Sequence, residues 1–299
     1  MSDLRDLETL WTGRLRKGER PTAADLRDHL LATHSRNTGF SETLAGGARD
    51  AQGRTSYEWL ADIVDPTRHK CVLDLACGSG LLLEICERRF GDRVALIGVD
   101  MSADELALAK KRLPGGVAEL RQGLAQDLNW LADGAVDAVL CHWALTLMDP
   151  VDQALSEACR IIRPGGVFAA IVDGDMAAAP QYAEIHEIVY GYALRAVAGY
   201  RDHDLGDPRV RDRRALAALA QQTFGAGWRV RVDPGMVRIE GSPRDLARKV
   251  SGFFYASFVL SGCGQAAMLD ELEALFSDRA EGGQACFTMP LSRLVVTRG

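Results

Sequence analysis

Two acidic residues and a glycine-rich turn are the groups in this sequence that are best placed to bind a nucleotide-type ligand. Asp74 lies in an apolar run, and Gly78 and Gly80 follow shortly after it, ahead of a helical segment at 81–86. Glycines let the backbone approach a ligand closely, and the start of a helix offers free N–H groups. Asp100 closes the next apolar run, about 20 residues past the turn, where an acid can accept from two ribose hydroxyls. This spacing predicts a ligand that contains a ribose.

The turn differs from the dinucleotide-binding fingerprint at two positions. Leu83 stands where the third glycine of that fingerprint would fall, and Ala76 stands at the first. The segment instead resembles the first motif of the class I S-adenosylmethionine-dependent methyltransferases, which commonly tolerates this alanine. The resemblance implies S-adenosyl-L-methionine as the cofactor, and since this cofactor carries no phosphate, a full anion cradle is not required.

The resemblance covers residues 70–174 well and implies a role for single residues. The turn after Asp74 would hold the methionine half of the cofactor, and Asp100 would bind the ribose. Asp127 would accept from the adenine amino group, while the N–H of Leu128 would face the ring. Asp100 and Asp127 have a simpler alternative as helix caps or turn residues. The full set of expected cofactor-binding residues is Tyr57, Asp74, Ala76, Gly78, Ser79, Gly80, Asp100, Met101, Gln126, Asp127, Leu128 and Cys141.

The residues expected at the methyl group follow the fourth and fifth predicted strands. His142 is a candidate catalytic base, with activity expected to fall below about pH 6.5 if its pKa is ordinary. Asp173 is the second catalytic candidate. Each has a simpler alternative. His142 could shape the pocket without taking part in catalysis, and Asp173 could be a turn residue. The residues expected to bind the substrate are Trp143, His186 and Tyr190, the last two of which could equally face water.

Alternation of strands and helices between Lys70 and Gly174 predicts a parallel sheet with helices on both faces. The predicted class is therefore α/β, with a seven-stranded, mostly parallel, Rossmann-like methyltransferase sheet and helical caps at both ends. Strands are expected at 70–75, 94–100, 117–122, 136–141, 166–173, 227–232 and 286–297. Helices are expected at 80–90, 102–112, 150–163, 181–197, 214–223, 243–260 and 265–277.

Two regions are expected in the domain organisation. Residues 1–65 are predicted to form a helical N-terminal cap, and 66–299 a methyltransferase domain with helical lid insertions at about 178–225 and 242–280. The caps would enclose the acceptor, which favours a small-molecule substrate.

Bulk composition narrows the classes of function. The chain has 299 residues and a net charge of −6, which argues against nucleic-acid binding by bulk charge. The apolar stretches are too short to cross a membrane, and no signal peptide is visible. The seven cysteines include no C-x-x-C pair and no zinc spacing, which is typical of free thiols in the cytoplasm and predicts no metal. A homodimer is left open.

The sequence thus predicts a cytoplasmic S-adenosylmethionine-dependent methyltransferase of secondary metabolism with a small-molecule acceptor. A first alternative keeps the cofactor but cyclises or cleaves it, releasing methylthioadenosine. A second alternative is a cofactor-binding partner protein without catalysis.

Overall fold

The computed structural model describes residues 7–200 and 205–298. These divide into two compact units. Unit 1 comprises the described residues of 1–53, 176–205 and 236–290, and unit 2 comprises those of 54–175, 206–235 and 291–299. The predicted lid insertion at about 178–225 is divided between them, since residues 206–225 belong to unit 2.

A seven-stranded sheet forms the centre of unit 2. Its strands run in the order β3-β2-β1-β4-β5-β7-β6, in which β1 to β5 are parallel neighbours and β7 is antiparallel to β5. This confirms the predicted α/β class. The strands are β1 Cys71–Leu75, β2 Ala95–Asp100, β3 Ala118–Gln122, β4 Val136–His142, β5 Ile162–Asp173, β6 Trp228–Gly241 and β7 Ala285–Arg298.

Helices cover the faces of this sheet because each presents an apolar stripe to it. Cys141 and Phe168 belong to one buried cluster with Leu155 of the seventh helix and Leu219 of the ninth. On the other side, the fourth helix contacts β4, β5 and the fifth helix. The helices of unit 2 are α4 Ser56–Ala61, α5 Leu81–Phe90, α6 Ala103–Arg112, α7 Val151–Ile161 and α9 Arg213–Phe224.

Unit 1 is helical apart from the ends of β6 and β7, and its helices pack through aromatic side chains. Trp11 stacks on His29, with ring centroids 4.8 Å apart, and meets Tyr200 edge-on at 5.3 Å. Its helices are α1 Leu10–Arg16, α2 Ala23–Arg36, α3 Phe40–Ala45, α8 Pro180–Ala196, α10 Pro243–Phe253 and α11 Gly262–Ser277. None of the helices in the described residues has the length and apolarity needed to cross a bilayer.

The structure differs from the expected elements in three places. β5 begins at Ile162 rather than at 166, and β6 runs on to Gly241, well past the end at 232 of the strand expected there. The expected helix at 243–260 ends at Phe253 and is followed by a 3-10 turn, Tyr255–Val259.

Candidate cofactor and acceptor site

Strand register places four of the predicted site residues on one face of the sheet. Asp74 lies opposite Gly98 of β2 and Leu140 of β4. Side chains alternate between faces along a strand, so Asp100 and His142, two residues further on, share that face. His142 lies opposite Ile171, which places Asp173 on the same face. The four side chains therefore stand along the carboxyl ends of β2, β1, β4 and β5, the edge where ligands bind in open α/β sheets.

The turn between β1 and α5 is built from backbone conformations that favour glycine. Gly78 and Gly80 have φ of 50° and 80°, and Ala76 has φ of 60°. A left-handed residue with a Cβ is strained, and such strain persists where the surrounding structure holds it in place. A Cβ on Gly80 would lie 3.0 Å from Cβ of Ala109 on α6. The turn therefore packs closely against α6, and a side chain at Gly80 would not fit there without a shift.

Asp74 is the least satisfied acid of the site. It is buried, and neither carboxylate oxygen has a hydrogen-bond partner among the residues that the structure describes. Burial raises the pKa of Asp74 well above the usual range, and the neighbouring charge of Asp100 adds to the effect. An isolated buried carboxylate is costly, so it calls for a cationic partner.

Asp100 is held by the backbone on both sides. One carboxylate oxygen accepts from the N–H of Gly78 at 2.8 Å, and the other accepts from the N–H of Ser102 at 2.8 Å. Ser102 itself is the N-cap of α6, so Asp100 does not cap this helix, but its bond to the N–H of Ser102 is that of a turn residue. The backbone bonds orient the acid and join it to the glycine turn.

The segment after β3 supports only part of the expected adenine site. Asp127 is exposed, and Gln126 is partly buried. The N–H of Leu128 donates to the Glu157 carboxylate at 2.9 Å, and the Leu128 side chain is fully buried. The predicted contact between this N–H and the adenine is therefore wrong, because the protein itself supplies the acceptor. Glu157, on α7, has no sequence signal that would have indicated this bond.

Two further residues of the expected cofactor set have contacts that anchor the turn region. The hydroxyl of Ser79 accepts from Arg112 at 3.1 Å, which ties the turn to the end of α6. The carbonyl of Met101 accepts from the Gln122 amide at 3.1 Å, and its residue is partly buried. The predicted roles of both residues in cofactor binding stay predictions.

His142 is enclosed by residues of α4 and by its own neighbour. Its Nε2 lies 2.9 Å from the hydroxyl of Ser56, and the ring of Tyr57 stacks on it with centroids 3.5 Å apart. Trp143 meets the ring edge-on at 5.0 Å. Burial lowers the pKa of His142 to about 3. The imidazole is therefore neutral at physiological pH, and the expected fall in activity below about pH 6.5 does not follow from this residue.

Asp173 forms a second polar cluster at the end of β5. It accepts from the indole N–H of Trp143 at 3.1 Å and pairs with Arg211 at 3.7 Å. Burial raises the pKa of Asp173, while the Arg211 charge and the indole hydrogen bond oppose that rise. Trp143 has φ of 52°, a strained conformation for a bulky residue. Arg211, in the loop before α9, is a site residue that the sequence did not single out.

Three expected residues do not join this cluster. Cys141 alternates with His142, so its thiol lies on the opposite face, in the hydrophobic core, where burial raises its pKa to about 12. A side-chain role for Cys141 toward the cofactor is therefore wrong. His186 and Tyr190 belong to unit 1, where their rings stack with centroids 4.0 Å apart. Their predicted role in substrate binding stays a prediction.

Comparison with known proteins relates this arrangement to a family. Residues 73–170, from β1 into β5, match the family model described as a methyltransferase domain. The motif that contains Asp74 lies at the start of this matched segment.

Curated relatives match mainly in this domain. An arsenite methyltransferase of Aquipseudomonas alcaligenes is 31% identical over 46% of this chain and 45% of its own length. A demethylmenaquinone methyltransferase of Desulfitobacterium hafniense is 30% identical over 36% of this chain and 42% of its own length. A malonyl-[acyl-carrier protein] O-methyltransferase of Pectobacterium atrosepticum is 34% identical over 41% of this chain and 47% of its own length. The matches thus cover less than half of each relative.

Solved structures share the fold over a larger part of the chain. The YcgJ protein of Bacillus subtilis superposes with a TM-score of 0.53 and 14% identity, over 81% of this chain and 97% of its own. The [4+2]-cyclase SpnF superposes with a TM-score of 0.52 and 18% identity, over 93% of this chain and 97% of its own. At these identities the likeness shows the fold alone.

The residues present fit S-adenosylmethionine. This cofactor carries two positive charges in its methionine half, an ammonium and a sulfonium, and the methyltransferase domain begins with two buried acids. The carboxylate of Asp74, which has no hydrogen-bond partner among the described residues, offers a counter-charge to an ammonium. Asp100 is a carboxylate, the kind of group that accepts from ribose hydroxyls, and its backbone bonds hold it beside the turn. The chemistry of the two acids therefore agrees with the resemblance to methyltransferases.

Proposed function

We propose that this protein is an S-adenosylmethionine-dependent methyltransferase that acts on a small-molecule acceptor. The observation that carries the proposal is the buried Asp74 carboxylate, which has no protein partner among the described residues. Asp74 lies just before the glycine turn, near the start of the segment that matches the methyltransferase domain. When bound, the cofactor supplies a methyl group that its sulfonium already activates.

The chain's own residues would bind and align rather than form covalent intermediates. Asp74 would accept from the ammonium, Asp100 from the ribose hydroxyls, and Asp127 from the adenine amino group. Tyr57, His142, Trp143 and Asp173 would line the acceptor end, because they cluster where β4 and β5 end. Methyl transfer of this kind depends on alignment of the nucleophile and on exclusion of water.

Two alternative functions would use the same cofactor site. Consumption of the cofactor with release of methylthioadenosine would use the same two acids. A protein that binds the cofactor without catalysis would use them as well. Small-molecule acceptors are favoured by the names of the curated relatives, which include an arsenite methyltransferase and a demethylmenaquinone methyltransferase.

Calorimetry and product analysis test the proposal together. The wild type should bind S-adenosylmethionine and not a nicotinamide dinucleotide. Asp100→Ala should weaken binding about 100-fold or more, since it removes two charge-assisted hydrogen bonds of about 1.5–3 kcal/mol each. Asp92→Asn, an exposed acid of the same unit, is the control.

Incubation with a panel of arsenite, quinols, phenols, carboxylic acids and amines should release S-adenosylhomocysteine together with a methylated acceptor. Release of methylthioadenosine from the cofactor alone would establish the first alternative. Binding without any nucleoside product across the panel would favour the non-catalytic one.

A further inference from the structure

One hydrogen bond joins α4 to the end of β4. Ser56 is the first residue of α4, and its position is fixed because Thr55 and Glu58 form a reciprocal capping box around the helix start. Its hydroxyl oxygen lies 2.9 Å from Nε2 of His142. The stacked ring of Tyr57 and the edge of Trp143 fix the plane of the imidazole. The geometry of the pair is therefore set from three sides.

Among the described residues, the hydroxyl of Ser56 has one partner to which it can donate. The residue is 1% exposed, and among the described residues its hydroxyl makes no hydrogen bond other than the one to His142. If Nε2 carried the proton and donated, the buried hydroxyl hydrogen would have no acceptor in the described protein. An unsatisfied buried donor disfavours that arrangement by a factor of about 10 or more. Ser56 therefore donates to Nε2, and the proton of the neutral ring is on Nδ1.

Burial keeps His142 neutral, so the second nitrogen presents an N–H rather than a lone pair. His142 has Ser56 as its one hydrogen-bond partner among the described residues, and the residue as a whole is only partly buried. Nδ1–H is therefore a donor that the described part of the protein does not use. A donor at this place cannot remove a proton from the acceptor, but it can bind an oxygen of the acceptor.

We propose that Ser56 is a positioning residue that fixes His142 as the Nδ1–H tautomer, and that this N–H donates to an oxygen of the methyl acceptor. The inference rests on the proposed function for the identity of the ligand. It names the acceptor class as a phenolate, an enolate or a carboxylate, in which the nucleophilic atom is an oxygen or is conjugated to one. An aliphatic amine does not fit, because its one lone pair must face the methyl group.

The tautomer can be measured without any substrate. In uniformly ¹⁵N-labelled protein, long-range ¹H–¹⁵N correlation spectra distinguish the two neutral tautomers, and loss of one set of signals in His142→Gln assigns this ring. The wild type should show Nδ1–H. Ser56→Ala should move the tautomer ratio toward Nε2–H by roughly 5- to 10-fold, the equilibrium worth of one neutral hydrogen bond. Ser56→Thr keeps a hydroxyl and should restore the wild-type ratio.

Ser292→Ala is the matched control. This serine is also fully buried, but its hydroxyl has no partner among the described residues, and it lies opposite Val172, on the other face of the sheet from His142. Its removal should leave the His142 signals unchanged. A wild-type ring in the Nε2–H form, or a ratio that does not respond to Ser56→Ala, would overturn the tautomer assignment.

The acceptor class is decided by the methylated product of the panel. Methylation of an oxygen, or of a carbon next to a carbonyl, supports the proposal, and methylation of an aliphatic amine overturns it. With that acceptor, Ser56→Ala should lower kcat about 10-fold at unchanged cofactor affinity, and Ser56→Thr should recover it. If the wild type binds no cofactor, the proposed function fails, whereas the tautomer spectra still decide the role of Ser56.

Discussion

Replacing Asp74 with asparagine should separate stability from cofactor binding. Asparagine has the shape of aspartate without its charge, and Asp74 is buried with neither oxygen bonded within the described protein. The amide of asparagine stays an unsatisfied neutral group, but the larger cost of burying a charge is removed, a difference of about 1–3 kcal/mol. For a large domain each kcal/mol shifts Tm by about 2–4 °C. Asp74→Asn should therefore raise the Tm of the cofactor-free protein by about 2–12 °C at pH 7.

The same substitution should weaken the binding of S-adenosylmethionine. Loss of one charge-assisted hydrogen bond to an ammonium is worth about 1.5–3 kcal/mol, which is a factor of about 10–100 in Kd. Differential scanning calorimetry measures the first effect and titration calorimetry the second. Asp92→Asn, an exposed acid of the same unit, should change neither. A lower Tm combined with an unchanged Kd would refute the reasoning, because it would mean that Asp74 serves a structural partner.

The pH dependence gives this prediction a further check. Burial and the charge of Asp100 raise the folded-state pKa of Asp74 above its usual value of 3.8. The folded protein then holds a proton that the unfolded chain has lost, over the range between 3.8 and the higher folded value. The contribution to stability is present below 3.8 and is lost as pH rises through the folded pKa. The free energy of unfolding of Asp74→Asn should lack this decline.

Three further predictions concern the turn and the ends of β4 and β5. Ala76→Gly should raise the free energy of unfolding by about 1 kcal/mol, because Ala76 has φ of 60°, and a lower value in urea unfolding would contradict this. Trp143→Phe removes the indole hydrogen bond to Asp173, so ¹³C NMR titration should show its carboxyl pKa raised further, and an unchanged midpoint would count against the bond. His142 has its pKa lowered from 6.5 to about 3, so the stability that its burial gives is present above pH 6.5 and is lost as pH falls toward 3. His142→Gln should flatten that decline in unfolding measured between pH 6.5 and 4, and an equal decline in both proteins would refute the shift.

The sequence predicted the parts of the fold that depend on local pattern. Apolar runs alternating with amphipathic helices indicate β1 to β5 because each element is specified by its own residues. The errors fall where turn residues lie inside strands. Asp233, Pro234 and Gly235 suggest a turn, yet β6 continues through them at the edge of the sheet, where a strand tolerates proline. Pro164 and Gly165 also suggest a turn, and β5 was therefore predicted to begin after them, at 166 rather than at Ile162.

The sequence predicted the part of the site that depends on sheet topology. Asp74, Asp100, His142 and Asp173 were expected at one sheet edge because parallel strands end there, and register shows that they also share a face. Contacts between distant segments were not predictable. Glu157 takes the N–H of Leu128 across 29 positions in sequence, and Ser56 meets His142 across 86. Local periodicity does not predict such pairs, because they form only when distant segments pack against each other.

The Ser56 contact changes what His142 can do in chemical terms. Its position after β4 predicts that His142 is a catalytic base, because an imidazole usually titrates near neutral pH. The structure removes both requirements for that role. Burial lowers the pKa of the ring to about 3, and the Ser56 hydroxyl donates to Nε2 and occupies its lone pair. What remains is a neutral donor beside an acid, Asp173, that is held by Trp143 and Arg211. An acceptor that enters such a site already ionised, as a phenolate or carboxylate does, needs no base, and the site then supplies alignment and one hydrogen bond.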